Sequence, residues 1–315
     1  WGEYAVLEGA PALVMAVDRY ASARISPAAE KWHLTAKGFE SAADLPAAAL
    51  LAVEADESEG ITGLVRAVIS ALGDPTLPAG AEIHTDTQDF HAEGKGGASM
   101  KLGIGSSAAI CTAACAAIAE FLDQPFNETV PLAAHRLLQG KAGSGLDVAA
   151  ACHGGLIRFE SGHASPAQWP DGWVYQYFWV GHSAKTSAQL ARFGDWRSSA
   201  ETSTLDALCQ ASEGLFNQPG LDQLADYVAR LKAMDQAAHL GIFSEAHDRL
   251  HALANRAQVV YKPCGAGGGD IGIAVSDDPT QLDELIAVAT QEDSQDSFLT
   301  LDLEIATHGV HRSRS

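Results

Sequence analysis

The chain has 315 residues, of which 47% are hydrophobic and 19% are charged, so it can bury a sizeable core and is not a disordered polymer. Its formal net charge of −20 argues against binding to bulk nucleic acid or to an anionic membrane. The five cysteines contain no CxxC pair, which argues against a disulfide framework or a zinc ribbon and indicates a reducing, cytoplasmic compartment.

The hydrophobic pattern predicts a mixture of strands and helices followed by a mainly helical stretch. The predicted elements are strands at 4–7, 12–17, 20–25 and 32–36, a helix at 59–72, a strand at 81–87, a glycine-rich loop at 91–99, helices at 106–122, 130–138 and 146–151, strands at 156–159 and 174–180, helices between 186 and about 256, strands at 258–261 and 271–275, a helix at 281–290 and a strand at 298–305. This order predicts an α+β protein in two lobes, 1–185 and 186–315. No apolar run reaches the ~20 residues that a membrane span needs.

The first informative segment precedes the predicted helix at 106–122. Residues 101–109 read Lys-Leu-Gly-Ile-Gly-Ser-Ser-Ala-Ala. Glycine lets the backbone approach a ligand, and a helix start supplies free N–H groups and a positive dipole end, so the segment predicts a phosphate cradle. An N-capped helix behind a flexible loop explains the same pattern. GxxxxGK[ST] is absent, and GxGxxG is only partly matched because Ala108 stands at its third glycine position.

The second segment is Gly143-Ser144-Gly145, followed by Asp147 at the start of a short apolar helix. The helix dipole stabilises a carboxylate there by about 0.3–1 kcal/mol, which is one explanation for the residue. The other is a carboxylate directed into a phosphate site, where it orients or deprotonates an acceptor hydroxyl.

The third segment, residues 262–270, reads Lys-Pro-Cys-Gly-Ala-Gly-Gly-Gly-Asp, with four glycines in five positions. Because glycine loses much backbone entropy on folding, a simple turn explains this density poorly. A second backbone surface that closes on the same ligand explains it better.

These segments, in this order, resemble the GHMP kinase superfamily of small-molecule kinases. Residues 2–9 look like its first motif, 101–109 like its phosphate loop, 262–270 like its third motif and 301–310 like its last strand. The resemblance spans essentially the whole chain and is strongest to the phosphomevalonate kinases, with the mevalonate kinases next. It implies a two-lobed α+β fold, with an N-terminal mixed β/α lobe and a C-terminal lobe that combines helices with a ferredoxin-like β-α-β part.

The resemblance also implies a function and a set of site residues. The function is ATP- and Mg²⁺-dependent phosphoryl transfer to a small isoprenoid-pathway metabolite, in particular from ATP to phosphomevalonate to give diphosphomevalonate. Asp147 would be the catalytic residue and Ser107 the magnesium contact. The nucleotide would be bound by Lys101, Gly103, Ile104, Gly105, Ser106, Ser107 and Ala108. The acceptor would be bound by Ser144, Gly145, Lys185, Thr186, Gly265, Ala266, Gly267 and Gly268.

The chain departs from the family's pattern at several positions. Where mevalonate kinases have an acidic magnesium ligand, on the helix before the aspartate, this chain offers His135 and Arg136, and Ser99 replaces a proline before the phosphate loop. The family's lysine before Gly-Glu-Tyr would precede Trp1. Since the chain does not begin with Met, we expect residues upstream of Trp1.

The placement of the lysines reconciles an acidic chain with anionic ligands. Lys101, Lys141 and Lys262 lie in or beside the glycine segments, and Lys185 lies in a Ser/Gly/His stretch. A phosphomonoester acceptor is largely dianionic near neutrality, since its second pKa is ~6, so it needs cations rather than a base. We therefore expect Lys101 and Lys185 to serve a phosphorylated acceptor.

Other interpretations stay open. They are a mevalonate kinase, a nucleotide-binding pseudokinase or regulator, and an NAD-dependent dehydrogenase, which rests only on Gly-x-Gly. We expect a monomer or homodimer with a small-molecule substrate. His247 and His251 are one helical turn apart, but the run is not HExxH, so a solvated helix face is favoured over a zinc site.

Overall fold

The structure is a computed structural model. It describes residues 1–52, 59–93, 99–139, 143–182, 186–199, 202–291 and 298–313. Its elements are β1 (Ala12–Met15), β2 (Ser22–Ala28), β3 (Trp32–Lys37), β4 (Ser41–Leu45), α1 (Ala47–Ala52), α2 (Gly60–Ala71), β5 (Gly80–Asp86), β6 (His91–Glu93), β7 (Ser99–Lys101), α3 (Ser106–Phe121), α4 (Thr129–Gln139), α5 (Leu146–His153), β8 (Leu156–Glu160), β9 (His163–Pro166), β10 (Val174–Trp179), α6 (Thr186–Ser199), α7 (Ser203–Asn217), α8 (Leu221–Ala238), α9 (Glu245–Arg256), β11 (Val260–Pro263), β12 (Ile271–Ser276), α10 (Pro279–Ala289) and β13 (Leu299–Leu301).

Contacts divide the chain into two compact units, each assembled from several segments. The first unit comprises Trp1–Val14, Leu102–Ile104 and Leu156–Glu304, and the second comprises Met15–Lys101, Gly105–Gly155 and Ile305–Ser315. The predicted boundary between residues 185 and 186 adjoins residues 183–185, which lie outside the described part of the chain, so it stays a prediction.

The second unit is built on a mixed sheet with the strand order β2-β5-β3-β4. Alternate residues of β3, among them Trp32 and Leu34, point into the core because a strand presents successive side chains to opposite faces. Helices α2, α3 and α4 contribute the other side of this core. The apolar helix predicted at 106–122 is present as α3 and is largely buried, as its composition indicated.

The first unit contains an antiparallel sheet with the strand order β11-β12-β10-β13. Strand β10 is followed by helices, then by β11 and β12, then by α10 and β13, which is the β-α-β-β-α-β pattern of a ferredoxin-like sheet. Phe178, Tyr261 and Ala274 of this sheet pack with residues of α9 and α10 in one hydrophobic core. The α+β class and the ferredoxin-like part are therefore confirmed.

Several sequence-based elements are wrong or incomplete. The strand predicted at 4–7 is instead a 3₁₀ turn over Ala5–Glu8, because positive φ at Gly2, Tyr4 and Gly9 bends the chain too sharply for a strand. The ends of the loop predicted at 91–99 pair as β6 and β7. The last strand is shorter than predicted, and β4, α1 and β9 were not predicted.

Within the described residues, the structure contains no helix with both the length and the apolarity that a membrane crossing requires.

Candidate functional site

The phosphate-loop segment leads into α3 through a left-handed glycine. Gly105 has φ +88°, and α3 begins at Ser106 without a side-chain N-cap. The first backbone bond into this helix is donated by Ala109 to the Gly105 carbonyl. The amides of Ser106, Ser107 and Ala108 therefore have no intrahelical acceptor, as expected for a first turn, and can bind an anion.

Ser107 lies beside an imidazole rather than a carboxylate. Its Oγ is 3.4 Å from Nε2 of His135 on α4. His135 is buried, and this desolvation lowers its pKa, so the ring is neutral near pH 7. No group of three metal-ligating side chains occurs among the described residues. Magnesium prefers oxygen ligands, so Ser107 Oγ is the atom of this pair that suits it.

Asp147 lies in the first turn of α5. Gly145 precedes the helix with φ +85°, a conformation that favours glycine, and a Cβ there would come within 2.6 Å of Cδ1 of Leu132. Asp147 keeps an exposed surface, yet protein atoms around its carboxyl group displace water and raise its pKa above the ordinary value. Water still reaches the side chain, and its screening limits this shift.

Side chains hold the carbonyls of the third glycine segment, residues 262–270. The Tyr4 hydroxyl donates to the Ala266 carbonyl at 2.7 Å. His182 Nε2 donates to the Gly268 carbonyl at 2.8 Å, and His247 Nε2 donates to the Gly269 carbonyl at 3.0 Å. Both nitrogens are donors here because a carbonyl oxygen can only accept.

The hydrogen bonds to these carbonyls also orient the neighbouring backbone amides, which point in the opposite direction. In a trans peptide the C=O and N–H groups point in opposite directions, so holding the Ala266 and Gly268 carbonyls turns the amides of Gly267 and Gly269 away from their anchors. Neither amide has a recorded acceptor within the described part of the chain. Positive φ at Gly265 and Gly267, on either side of Ala266, gives the alternating backbone of an anion-binding nest.

One glycine of this segment faces inward. The Gly268 amide donates to the Ile242 carbonyl at 2.8 Å. The turn that carries Ile242 is in turn held by Asp235, whose carboxylate accepts from the amides of Ile242 and Phe243 at 2.9 Å each. Gly268 was predicted to bind the acceptor, but its amide is used in a hydrogen bond within the protein. The amide of Gly269, which was not predicted, is available for a ligand instead.

Gly103 of the phosphate-loop segment lies against the end of the third glycine segment. A Cβ on Gly103 would come within 2.0 Å of Cγ of Asp270, so no other residue fits without displacing that aspartate. The first unit thus brings two glycine segments together although about 160 residues separate them in the sequence.

Lys262 does not serve a ligand as the sequence suggested. Its Nζ is 2.5 Å from Oε1 of Glu3, and the side chains of Lys262 and Glu3 are only 4% and 12% exposed. Tyr227 donates its hydroxyl hydrogen to the other oxygen of Glu3 at 2.7 Å. Burial alone would raise the pKa of Glu3, but the charges of Lys262 and of the Trp1 amino group, with hydrogen bonds from Lys262 and Tyr227, outweigh it and lower this pKa to about 2. The charge of Lys262 is therefore neutralised inside the protein.

The remaining predicted residues are placed as follows. Lys101 ends β7 and is exposed, and Ile104 and Ser144 are partly exposed. Thr186 is the first residue of α6. Lys141 and Lys185 lie outside the described residues, so their roles stay predictions.

The histidine pair on α9 is not a solvated helix face. His247 is fully buried, and His251 is partly buried with Nδ1 3.3 Å from the Tyr261 carbonyl. The sequence pattern showed the one-turn spacing but not that this face of α9 turns toward the glycine segment. Tyr4, Asp235 and Gly269 were also missed, because their roles depend on partners far away in the sequence.

We expect alanine to be tolerated far better at Gly265 than at Gly267. Both glycines have positive φ, which costs alanine about 1–2 kcal/mol. Only at Gly267 would the Cβ also clash, at 2.4 Å from Ile242 Cγ2 and 2.9 Å from its backbone. Urea denaturation should show a loss of about 1–2 kcal/mol for Gly265→Ala and about 2–5 kcal/mol for Gly267→Ala. Equal losses would contradict the close packing on Ile242.

Comparisons with known proteins agree with this architecture. Residues 61–155 match the family model described as the GHMP kinases N terminal domain. A phosphomevalonate kinase from Streptomyces sp. (strain CL190) is 28% identical, over 98% of this chain and 95% of that protein. The Streptococcus pneumoniae phosphomevalonate kinase in complex with phosphomevalonate and AMPPNP has a TM-score of 0.72 at 18% identity, covering 96% of each chain. The Methanococcus jannaschii mevalonate kinase has a TM-score of 0.69 at 16% identity, covering 98% of this chain and 95% of its own. The resemblance and the fold inferred from the motifs are confirmed.

Proposed function

We propose that this chain is an ATP-dependent kinase whose acceptor is phosphomevalonate. The premise is that residues 61–155 match the N-terminal domain of the GHMP kinases. The product would be diphosphomevalonate, an intermediate of isoprenoid biosynthesis. The sequence relative named above supports this acceptor. The observation that carries the proposal is the pairing of two glycine segments in the first unit, where Gly103 lies against Asp270.

The two segments suit the two anionic partners of such a reaction. Within the first unit, the backbone at Gly103 would hold the triphosphate and the nest around Gly267 would hold the phosphate of the acceptor. Within the second unit, the amides at the start of α3 would bind phosphate oxygens through their free N–H groups. In the reaction an acceptor phosphate oxygen bonds to the γ-phosphorus, the bond to the bridging oxygen breaks, and ADP leaves with that electron pair. Such a transfer depends mainly on positioning and on neutralisation of charge, which fixed amides provide.

Magnesium fits this site through oxygen rather than nitrogen ligands. Ser107 Oγ would be its contact on the protein, and nucleotide phosphates and water would supply the remaining oxygens. When bound, the ion neutralises charge on the phosphates. His135 would then orient Ser107 rather than bind the metal. We also propose that the protein is cytoplasmic and that it is a monomer or a homodimer.

Mevalonate is the second candidate acceptor. Asp147 is the observation that favours it, because a carboxylate with a raised pKa suits the orientation or deprotonation of a hydroxyl group. A phosphate acceptor, already dianionic, needs no base, and Asp147 would then only orient it.

A coupled ADP-release assay that compares the two acceptors in the presence of ATP and Mg²⁺ tests the proposal. We expect kcat/KM to be at least tenfold higher with phosphomevalonate than with mevalonate. The reverse preference would establish the alternative acceptor. If ATP and Mg²⁺ raise the melting temperature in a thermal-shift assay but no ADP is formed with either acceptor, the protein is instead a pseudokinase or regulator.

A further inference from the structure

We infer that His247 is a positioning residue that holds the third glycine segment in its amide-presenting conformation, an inference that rests on the proposed function of that segment. His247 lies on α9 and is 0% exposed. Its imidazole joins the segment to the buried core of the first unit.

Both ring nitrogens of His247 have partners that fix its tautomer. Nε2 is 3.0 Å from the Gly269 carbonyl, which only accepts, so Nε2 carries the hydrogen. Nδ1 is 2.8 Å from the hydroxyl of Tyr261, which therefore donates to it. Burial lowers the pKa of His247 to about 4, so the neutral ring persists at physiological pH.

Tyr261 gives the imidazole a rigid support. It lies on β11, is 0% exposed and belongs to the hydrophobic core formed with α9 and α10. The imidazole of His247 thus bridges this core and the glycine segment. A connection of this kind fixes a flexible loop more firmly than contacts within the loop do.

The Gly269 peptide is held from both sides. Its carbonyl accepts from His247, while its N–H group, which belongs to Asp270, donates to the His182 carbonyl at 2.7 Å. Glycines at 267, 268 and 269 rotate with little steric resistance, so loss of one anchor lets a peptide turn over. If the adjoining peptide that carries the Gly269 amide then turns over, it presents a carbonyl oxygen in place of that amide and repels an anionic ligand.

His251 provides a matched control on the same helix. It lies one turn further along α9, donates from Nδ1 to the Tyr261 carbonyl at 3.3 Å, and packs against the Phe243 ring with the ring centroids 5.7 Å apart. None of its contacts recorded in the described chain involves residues 264–270. Its replacement perturbs α9 without removing an anchor of the glycine segment.

The first experiment measures steady-state kinetics of His247→Leu, His247→Gln and His251→Leu. We expect His247→Leu to raise KM for phosphomevalonate at least tenfold with a smaller change in kcat. His247→Gln should recover part of this loss, because its amide can still donate to the Gly269 carbonyl. His251→Leu should keep KM within twofold of the wild type. A normal KM in His247→Leu, or an equal rise in His251→Leu, would overturn the inference.

The second experiment separates this inference from the proposed function, since it needs no substrate. Hydrogen exchange is measured at the amides of Gly268 and Asp270, whose acceptors are the Ile242 and His182 carbonyls. We expect at least tenfold faster exchange at both in His247→Leu and in neither in His251→Leu. Should His247→Leu fail to fold, His247→Gln is compared with the wild type. Its amides at Gly268 and Asp270 should exchange faster than those of the wild type, but less than tenfold faster. Unchanged exchange in every folded His247 variant would overturn the positioning role even if the enzyme phosphorylates phosphomevalonate.

Discussion

We expect Asp147→Ala to lower kcat for ADP release by about 10²–10⁴-fold, the range for a positioned carboxylate that handles a proton or orients an acceptor. Within the described residues, Asp147 has no recorded ion pair, and its pKa is raised by desolvation. A partly desolvated carboxylate without a cationic partner contributes little to folding beyond its interaction with the helix dipole. Its presence at the start of α5 is therefore better explained by chemistry than by stability.

Two further variants make this result specific. Asp147→Asn keeps the shape of the side chain and removes the charge, so it should lose activity almost as fully as alanine. Asp222 occupies the same position in the first turn of α8 and is also exposed, so Asp222→Ala removes an equivalent dipole interaction of about 0.3–1 kcal/mol. Asp222→Ala should keep full turnover. If Asp147→Ala also kept full turnover, the catalytic assignment would be wrong.

The buried pair of Glu3 and Lys262 carries the largest expected effect on stability. Removing one partner leaves an uncompensated buried charge, so Glu3→Gln or Lys262→Met should each lower the free energy of unfolding by about 3–5 kcal/mol in urea denaturation. The double variant should be more stable than the sum of the two losses predicts, since it leaves neither charge unpaired. Asp226→Asn is the matched control, because its i,i+4 pair with Arg230 is half exposed and contributes at most about 1 kcal/mol.

The same pair gives stability a defined pH dependence. Burial opposes ionisation of Glu3, but the charges of Lys262 and of the Trp1 amino group, with hydrogen bonds from Lys262 and Tyr227, together outweigh it and lower the pKa of Glu3 from 4.5 to about 2. The unfolded chain therefore binds a proton between these values that the folded chain does not. The contribution of ionised Glu3 to the free energy of unfolding is complete above pH 4.5 and disappears as the pH falls toward 2. Glu3→Gln should remove this part of the slope, and an unchanged slope together with a loss below 1 kcal/mol would contradict the buried pair.

The sequence identified the helices that carry the site because their periodicity is a local property. Helix α3 was predicted to within one residue, and the start of α5 at Leu146 was placed correctly. Long apolar stripes and glycine boundaries specify such helices without reference to distant residues. The error at 4–7 has the opposite origin, since three positive-φ positions at and around that stretch override its strand-like composition.

Strand pairing in the first unit could not be derived in this way. The pattern predicted β10 as a strand, but its partners β12 and β13 lie about 100 residues further along the chain. The pairing of distant strands depends on which apolar faces meet in the folded core, and alternation within one strand does not encode this.

The sequence by itself identified the components of the candidate site, namely three glycine-rich segments and an aspartate at a helix start, together with a family resemblance that spans the chain. Those features are local, since they follow from backbone freedom and from helix termini. Only the tertiary structure decided how two side chains near them are used. Lys262 is neutralised by Glu3, and His247 is buried against the Gly269 carbonyl. The physical reason is that the burial and the partner of a polar side chain are set by residues brought together from distant parts of the chain, and these decide whether it serves a ligand or the protein itself.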